Sequence, residues 1–347
     1  MFKKVIKYSI IFLFLSTSCL FAECIKPKMP TNEEWNKWIN KISKESLDNG
    51  ISQKTIELEL SNLKPLEKII MRDRCQPEST ITFKEYIYYR LDKTRIYKGK
   101  IKRDEFIDEL NLVSNSYNIQ KEFILSIWGL ESYYGQNQGK SKIIPALTTL
   151  SFDKRRSDFY KKQLLASLKL IDLKIVDSQN LVGSWAGAMG QVQFLPTTFF
   201  ESAVDFNNDG NIDIWKTEED VFASIANYLT SLEKAPWNKK ESWGIEIIPP
   251  KNIKQIYDSL KKTNPKGCYA VKTMSIEKKL SDWSKLGFKK IDYSKFINQD
   301  INARLVAPDG LDGRMFLVFN NYKSILYYNC SHYYALSIGL LSDELKQ

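Results

Sequence analysis

The chain has 347 residues, of which 43% are hydrophobic, 27% charged and 13% aromatic. That is ordinary globular usage and excludes collagen, long coiled coil and extensive disorder; at about 150 residues per domain it predicts about two domains. The single histidine, His332, excludes a zinc site built on several histidines and a two-histidine mechanism. No glycine motif for phosphate or dinucleotide binding is present.

Residues 1–22, MFKKVIKYSIIFLFLSTSCLFA, join basic Lys3, Lys4 and Lys7 to a short apolar run from Ser9 to Leu15. They end on Ala22, a small residue suited to cleavage. This predicts an export signal peptide over 1–22 and a periplasmic protein, with a membrane anchor as the alternative reading. Cys19, after Ser16-Thr17-Ser18, offers a second processing route that would make an outer-membrane lipoprotein. No later stretch is apolar for the ~20 residues of a spanning helix. Removing 1–22 takes away three lysines and no acids, so the formal charge falls from +10 to +7. A basic exported protein suits a polyanionic wall or anionic lipid, and nucleic acid is not an expected partner there. The lysines are scattered, which fits a solvated surface equally well. Cys24, Cys75, Cys268 and Cys330 remain and allow three pairings. Proximity favours Cys24–Cys75 with Cys268–Cys330.

Residues 31–115 have helical, amphipathic spacing: Trp35, Trp38, Ile39 and Ile42, then Ile56, Leu58, Leu60 and Leu63. The spacing predicts an apolar helix over 118–134 with Asn118 as N-cap, and a helix over 157–177 with Leu164, Leu165, Leu168 and Ile171 on one face. Pro196 opens a helix to about Val204, and Thr217 another to Leu232. Prolines at 236, 249, 250 and 265 mark a change of character. Strands are expected over Tyr269–Met274, Ala303–Val306 and Met315–Phe319, with turns at Asp309-Gly310 and Asp312-Gly313. A last helix runs from about His332 to Leu345. The chain is expected to be mainly α (α+β), a helical body with a small β-containing element before the last helix.

One carboxylate stands out. In FILSIWGLESYYG, residues 123–135, Glu131 shares a helix face with Ile124, Ile127, Trp128 and Tyr134. An all-round apolar helix is normally buried. Burial raises a carboxyl pKa, which is what a general acid near neutral pH needs. A core acid paired with a cation is the other reading. A second segment, GSWAGAMGQVQFLPTT at 183–198, has small residues that allow close approach of an extended ligand. Gln191 and Gln193 would supply amides to it and Met189 an apolar wall; a tight core junction is the alternative.

Together these segments resemble the lytic murein transglycosylase B family. The resemblance rests on Leu130-Glu131-Ser132-Tyr133-Tyr134-Gly135 and on Gly183 to Thr197. It continues through Ala146 to Phe152, Arg155-Arg156, Val204-Asp205-Phe206 to Trp215, Ala226-Asn227-Tyr228 and Tyr328 to Ala335. It implies a lysozyme-like helical core over 118–237, a helical N-terminal region over 23–117, a small β-containing region over 238–331 and a C-terminal helix over 332–347. It also implies cleavage of the β-1,4 bond between N-acetylmuramic acid and N-acetylglucosamine in glycan strands, leaving 1,6-anhydromuramoyl ends. Glu131 matches the catalytic acid. Ordinary glycosidases need two carboxylates, ~5 to 9.5 Å apart. Here Glu131 would protonate the glycosidic oxygen and then deprotonate the sugar's own 6-hydroxyl, whose tethering replaces a positioned water. Ser184 and Gln193 match substrate contacts, Met189 a cleft wall and Tyr228 a cleft aromatic. Arg155 and Arg156 match a basic pair near a carboxylate of the substrate, in a segment one residue shorter than the family form. Tyr328, Asn329 and Tyr334 match a late motif folding over the site. The chemistry requires no cofactor. Envelope or wall-synthesis proteins are the expected protein partners, and a monomer the expected state.

Asp205, Asn207 and Asp209 occupy positions one, three and five of an EF-hand-like loop, with Gly210 at six and Asn211 at seven. Lys216 stands at twelve, where an acid is expected; the family's displaced acid matches Asp220. A structural calcium ion is the expectation. A capped helix start at Thr217-Glu218-Glu219-Asp220 is the alternative.

Overall fold

The computed structural model describes residues 27–75, 81–260 and 268–346. The signal peptide expected over 1–22, with Cys19, and Cys24 lie outside the described residues. The N-terminal region is a run of short helices: α1 (Asn32–Asp48), α2 (Gln53–Leu60), α3 (Glu67–Arg74), α4 (Phe83–Arg90), α5 (Lys93–Glu105) and α6 (Ile107–Ser116). Thr31 and Thr82 open α1 and α4 with capping boxes, closed by Glu34 and Glu85. Next comes α7 (Lys121–Ser132), then a two-stranded antiparallel ribbon of β1 (Ser141–Lys142) and β2 (Val182–Gly183). Helices α8 (Ile143–Phe152) and α9 (Ser157–Asp172) are inserted between those strands. Two further helices, α10 (Pro196–Ser202) and α11 (Glu218–Thr230), flank the EF-hand-like loop.

The remaining elements are β3 (Gly244–Ile248), α12 (Ile253–Ser259), α13 (Tyr269–Thr273), β4 (Lys278–Lys279), α14 (Leu280–Lys285), β5 (Lys289–Lys290), β6 (Asn302–Val306), β7 (Met315–Val318), α15 (Asn320–Tyr328) and α16 (His332–Leu345). The strands form one antiparallel sheet of order β4-β6-β7-β3-β5. The chain is mainly helical with small sheets.

The main apolar core extends from Ile42 in α1 to Leu345 in α16 and includes every residue from Phe123 to Leu130 of α7 except Ser126 and Gly129, which are also buried. A smaller core lies under the sheet around Trp283, Phe288 and Leu317. A fully buried Leu, Ile or Phe stabilises by roughly 1.5–3 kcal/mol. Exposed pairs such as Lys279–Asp300 contribute about 0–1 kcal/mol each. Burial around α7 therefore decides the fold.

Three local expectations change. Tyr269–Met274 is not a strand: α13 occupies it, because the buried residues Ala270, Val271 and Met274 follow helical spacing while Tyr269 is exposed. Asn118 does not cap α7; it turns the chain in a left-handed conformation, and Gln120 is the N-cap. The Gln120 amide instead donates to the carbonyls of Lys239 and Glu241, at 2.8 and 2.7 Å. Leu58 is 72% exposed, so the buried face of α2 is Thr55, Ile56 and Leu60.

Cys268 and Cys330 form a disulfide across a sequence separation of 62. It joins the start of α13 to the turn before α16. Closing a loop of this length stabilises by roughly 2–4 kcal/mol. Without reductant a Cys268→Ser variant should melt several degrees below the parent, and with reductant, which also opens the disulfide at Cys75, the two should melt at the same temperature. Equal midpoints without reductant would show that the crosslink contributes nothing.

Candidate active site

Glu131 sits in the last turn of α7, between Leu130 and Ser132, both buried. Its side chain reaches a cavity of about 230 Å³ walled by Tyr86 and Arg90 from α4, Leu130 from α7, and Asn329, Ser331, Tyr333 and Tyr334 from the chain entering α16. Glu131 is the one carboxylate on that wall. Burial pushes its carboxyl up from an ordinary 4.5 to about 7. The negative end of the α7 dipole acts in the same direction. The Tyr334 hydroxyl and the Arg90 charge pull it back without cancelling the rise.

The Tyr334 hydroxyl is buried, and its contact with Glu131 falls short of a well-formed hydrogen bond. Its ring stacks on Tyr328, centroids 6.4 Å apart and planes 11° apart. The Tyr328 hydroxyl donates to the Val192 carbonyl at 2.6 Å, and its ring meets Tyr228 edge-on at 4.9 Å. Tyr228 donates to the Tyr327 carbonyl at 2.6 Å. Burial and the nearby Glu131 charge hold both the Tyr328 and Tyr334 hydroxyls well above the usual phenol range, so they stay neutral.

The structure thus brings Glu131, Asn329 and Tyr334 around one cavity, with Tyr328 and Tyr228 stacked behind them. Met189, Ser184 and Gln193 belong to the adjoining turn. Met189 is fully buried and bridges Gly183 and Phe194, and the Phe194 ring lies 5.8 Å from both Tyr228 and Tyr328. The Ser184 hydroxyl accepts from the Ala186 and Ala188 amides at 3.3 and 3.0 Å. Gln193, in a left-handed conformation, donates to the Gln138 and Gly190 carbonyls at 3.2 and 2.9 Å. Gln191 is buried, with its amide turned into the protein rather than toward a ligand.

Arg155 and Arg156 are not part of this wall. Both are ion-paired to Asp73 at the end of α3, Arg155 at 2.8 Å, and Asp73 is 1% exposed. A buried carboxylate needs paired cations, and these two arginines supply them. Conversely, Tyr86 and Arg90 went unremarked in the sequence, although their i,i+4 spacing in FKEYIYYR puts them on one helix face. The Asp309 carboxylate fixes that helix. It accepts from the Phe83 and Lys84 amides at 2.6 and 3.2 Å and from the Tyr333 hydroxyl at 3.1 Å.

In the EF-hand-like loop, Asp205 accepts from the Asp209 and Gly210 amides at 3.1 and 2.9 Å, Asn207 from Asp209 at 3.0 Å, and Asp209 from Asn211 at 2.8 Å. Asp220 is fully buried and reaches back to the Phe206 and Asp213 amides, both at 2.8 Å, while Thr217 makes no side-chain cap. Asp220 therefore closes the loop rather than capping its own helix. All these donors are oxygens, as a hard cation requires. Among the described residues, no three His, Cys, Asp or Glu side chains stand close enough to hold a metal. A groove of about 620 Å³ opens between this loop, the segment after α7 and the Ile175–Val182 connection, without Glu131 on its wall.

A mainly helical fold holding one desolvated carboxylate at the end of a buried helix, faced by tyrosines, is a lysozyme-like arrangement. The Transglycosylase SLT domain family matches residues 34–343, and the chain belongs to it. It is 31% identical over 190 residues to the membrane-bound lytic murein transglycosylase B of Escherichia coli (strain K12), covering 52% of each chain. It thus spans about half the length of that curated relative. Among solved structures it is similar to Pseudomonas aeruginosa SltB3 in complex with NAG-NAM-pentapeptide, with a TM-score of 0.81 and 34% identity, covering 90% of this chain and 79% of that one. It is also similar to the Escherichia coli lytic transglycosylase Slt35 in complex with calcium, with a TM-score of 0.71 and 25% identity, covering 91% and 93%.

The raised carboxyl fixes a sign for stability. Between 4.5 and about 7 the folded chain keeps a proton that the unfolded chain has released. Stability therefore falls as pH rises through that window, and the penalty is complete above it. Glu131→Gln should melt higher than the parent at pH 8 and at the same temperature near pH 4, as read by calorimetry. A constant difference across that range would contradict the desolvated carboxyl.

Proposed function

We propose that this chain is a peptidoglycan lytic transglycosylase that cleaves the MurNAc-β-1,4-GlcNAc bond and leaves 1,6-anhydroMurNAc ends, with Glu131 as its sole acid and base. The observation that carries this reading is the single carboxylate, raised to about 7, on the wall of the tyrosine-lined cavity. Near neutral pH such a group exists in both forms, so it can give a proton and take one back. Protonated Glu131 donates to the glycosidic oxygen as the C1–O bond breaks. The resulting carboxylate accepts the proton of the muramoyl 6-hydroxyl, whose oxygen bonds to C1. No water is consumed, and Glu131 ends as it began. Tethering the attacking oxygen to the same sugar replaces the base and water of a hydrolase. Tyrosine faces suit the axial C–H groups of sugar rings. Ser184 and Gln193 form the second side of the cleft, on a turn whose core is Met189, which is buried and so does not itself wall the cleft. Arg155 and Arg156, committed to Asp73, brace α3 against α9, and any contact they make with a peptide carboxylate uses their exposed edges.

The leader at 1–22 supports export to the periplasm, with Cys19 as the lipid-anchored alternative, and a monomer working on the glycan strand beside envelope or wall-synthesis proteins. The EF-hand-like loop would hold a structural calcium ion through Asp205, Asn207, Asp209 and Asn211, with Asp220 closing the loop through the Phe206 and Asp213 amides, a reading supported by the calcium complex of Slt35. Calcium has no role in the proton transfers.

Mass spectrometry of muropeptides released from purified sacculi by the mature protein should find anhydromuramoyl products. Glu131→Gln should lower their rate roughly 100- to 10,000-fold. Reducing ends would mean a hydrolase, and no release by the parent would leave a wall-binding protein. Millimolar calcium should raise the melting temperature, because an ion bound only to the folded state stabilises it; Asp205→Ala should remove that rise, and a parent indifferent to calcium and to chelator would refute the site.

A further inference from the structure

The chain leaves α7 through three consecutive left-handed residues, Tyr133, Tyr134 and Gly135, with φ of 55°, 59° and 80°. Two of these are tyrosines, for which this conformation is strained. Something must hold this exit, because Glu131 lies two residues before it. Part of the hold is Trp128, one turn before Glu131 on the same face of α7. Its carbonyl accepts from the Tyr134 amide at 3.3 Å and the Ser132 hydroxyl at 3.2 Å. The same Ser132 hydroxyl accepts from the Gly135 amide at 3.0 Å.

The Trp128 indole is held in turn by Gln191. Trp128 Nε1 donates to Gln191 Oε1 at 2.6 Å, and Gln191 Nε2 donates to the Trp215 carbonyl at 3.1 Å. Gln191 is 3% exposed, and its amide lies flat against the exit: a Cβ on Gly135 would stand 2.3 Å from Gln191 Oε1. The Trp215 carbonyl also accepts from Gln138 Nε2 at 2.9 Å, and the Gln138 carbonyl accepts from Gln193. One buried amide therefore connects the helix that carries Glu131, the exit behind it and the turn that carries Gln193.

We propose that Gln191 is a positioning residue: by clamping the Trp128 indole and the Gly135 backbone to the Trp215 carbonyl, it holds Glu131 in register with the opposite wall of the cleft. It touches no substrate. The role rests on Glu131 being the acid and base. It uses both ends of the amide, an acceptor for the indole and a donor for the carbonyl. Methionine keeps the volume and loses both bonds. Glutamate keeps both only when protonated, its C=O accepting from the indole and its O–H donating to Trp215; ionised, it has no donor.

The test measures kcat and KM on purified glycan strands for the parent, Gln191→Met and Gln191→Glu, with Glu131→Gln as control. Misplacing a catalytic group by about 1 Å can cost about 100-fold, so Gln191→Met should lose roughly 10- to 100-fold in kcat with KM nearly unchanged. The kcat of Gln191→Glu relative to the parent should be highest at acidic pH and fall as its new carboxyl ionises. A folded Gln191→Met with kcat within about twofold of the parent overturns the proposal. If that variant does not fold, a Gln191→Glu to parent ratio constant with pH overturns it instead. An inactive parent, or an active Glu131→Gln, refutes the transglycosylase reading and not the clamp. NMR then decides on the clamp: Gln191→Glu should shift the Trp128 indole N–H resonance and the Glu131 carboxyl titration, and two unmoved signals would end the proposal.

Discussion

The architecture depends on the cost of holding one carboxyl away from water. Glu131 lies at the end of a helix whose other buried residues are apolar apart from Ser126 and Ser132, at the negative end of that helix dipole. Neither ion pairing nor a strong hydrogen bond cancels the desolvation: Arg90 and Tyr334 moderate it and leave the carboxyl near 7. A core built for stability alone would place leucine there. The surrounding elements follow from this constraint. α16 brings Tyr334 over the carboxyl, α15 ends in Tyr328 stacked on it, and α4 supplies the last wall.

That cavity is assembled from segments more than 200 residues apart, so its shape is inseparable from the global fold. The Asp309 carboxylate shows how it is tied. From the β6–β7 connection it takes the first amides of α4 and the Tyr333 hydroxyl together. A carboxylate at a helix N-terminus is favoured by both the free amides and the dipole. Here the same group that caps α4 also sets the distance between the N-terminal helices and the sheet region. The disulfide at Cys330 restrains the turn holding Asn329 and Ser331 from the other side. The walls of the cavity are thus anchored by contacts outside it.

Much of this was legible in the sequence because it is written in local pattern. A largely apolar run with one acid, residues 123–135, has few physical interpretations, and Glu131 is that acid. The last helix, His332–Leu345, and strands β6 and β7 follow from periodicity in the same way. What was not legible depends on long-range pairing. Nothing local to Arg155 and Arg156 says that Asp73, about 80 residues earlier, is buried and needs two cations. Tyr86 and Arg90 sit on a short helix with no apolar face strong enough to mark them. Tyr269–Met274 is a short run that reads as a strand, yet the burial of Ala270, Val271 and Met274 suits a helix. In each case tertiary context outweighs local propensity.

The aromatic rings explain how one carboxylate can suffice. A hydrolase must hold a water and a second base, both polar, beside the acid. The wall around Glu131 offers instead the rings of Tyr86, Tyr333 and Tyr334, backed by Tyr328 and Tyr228, whose hydroxyls are spent on backbone carbonyls. Such a wall offers a sugar both ring faces and the polar groups of Arg90, Asn329 and Ser331, but among the described residues no second carboxylate. On the proposed reading, the nucleophile is carried by the substrate itself and no second carboxylate is needed. The packing that raises the Glu131 carboxyl is then the same packing that leaves it without a second carboxylate beside it.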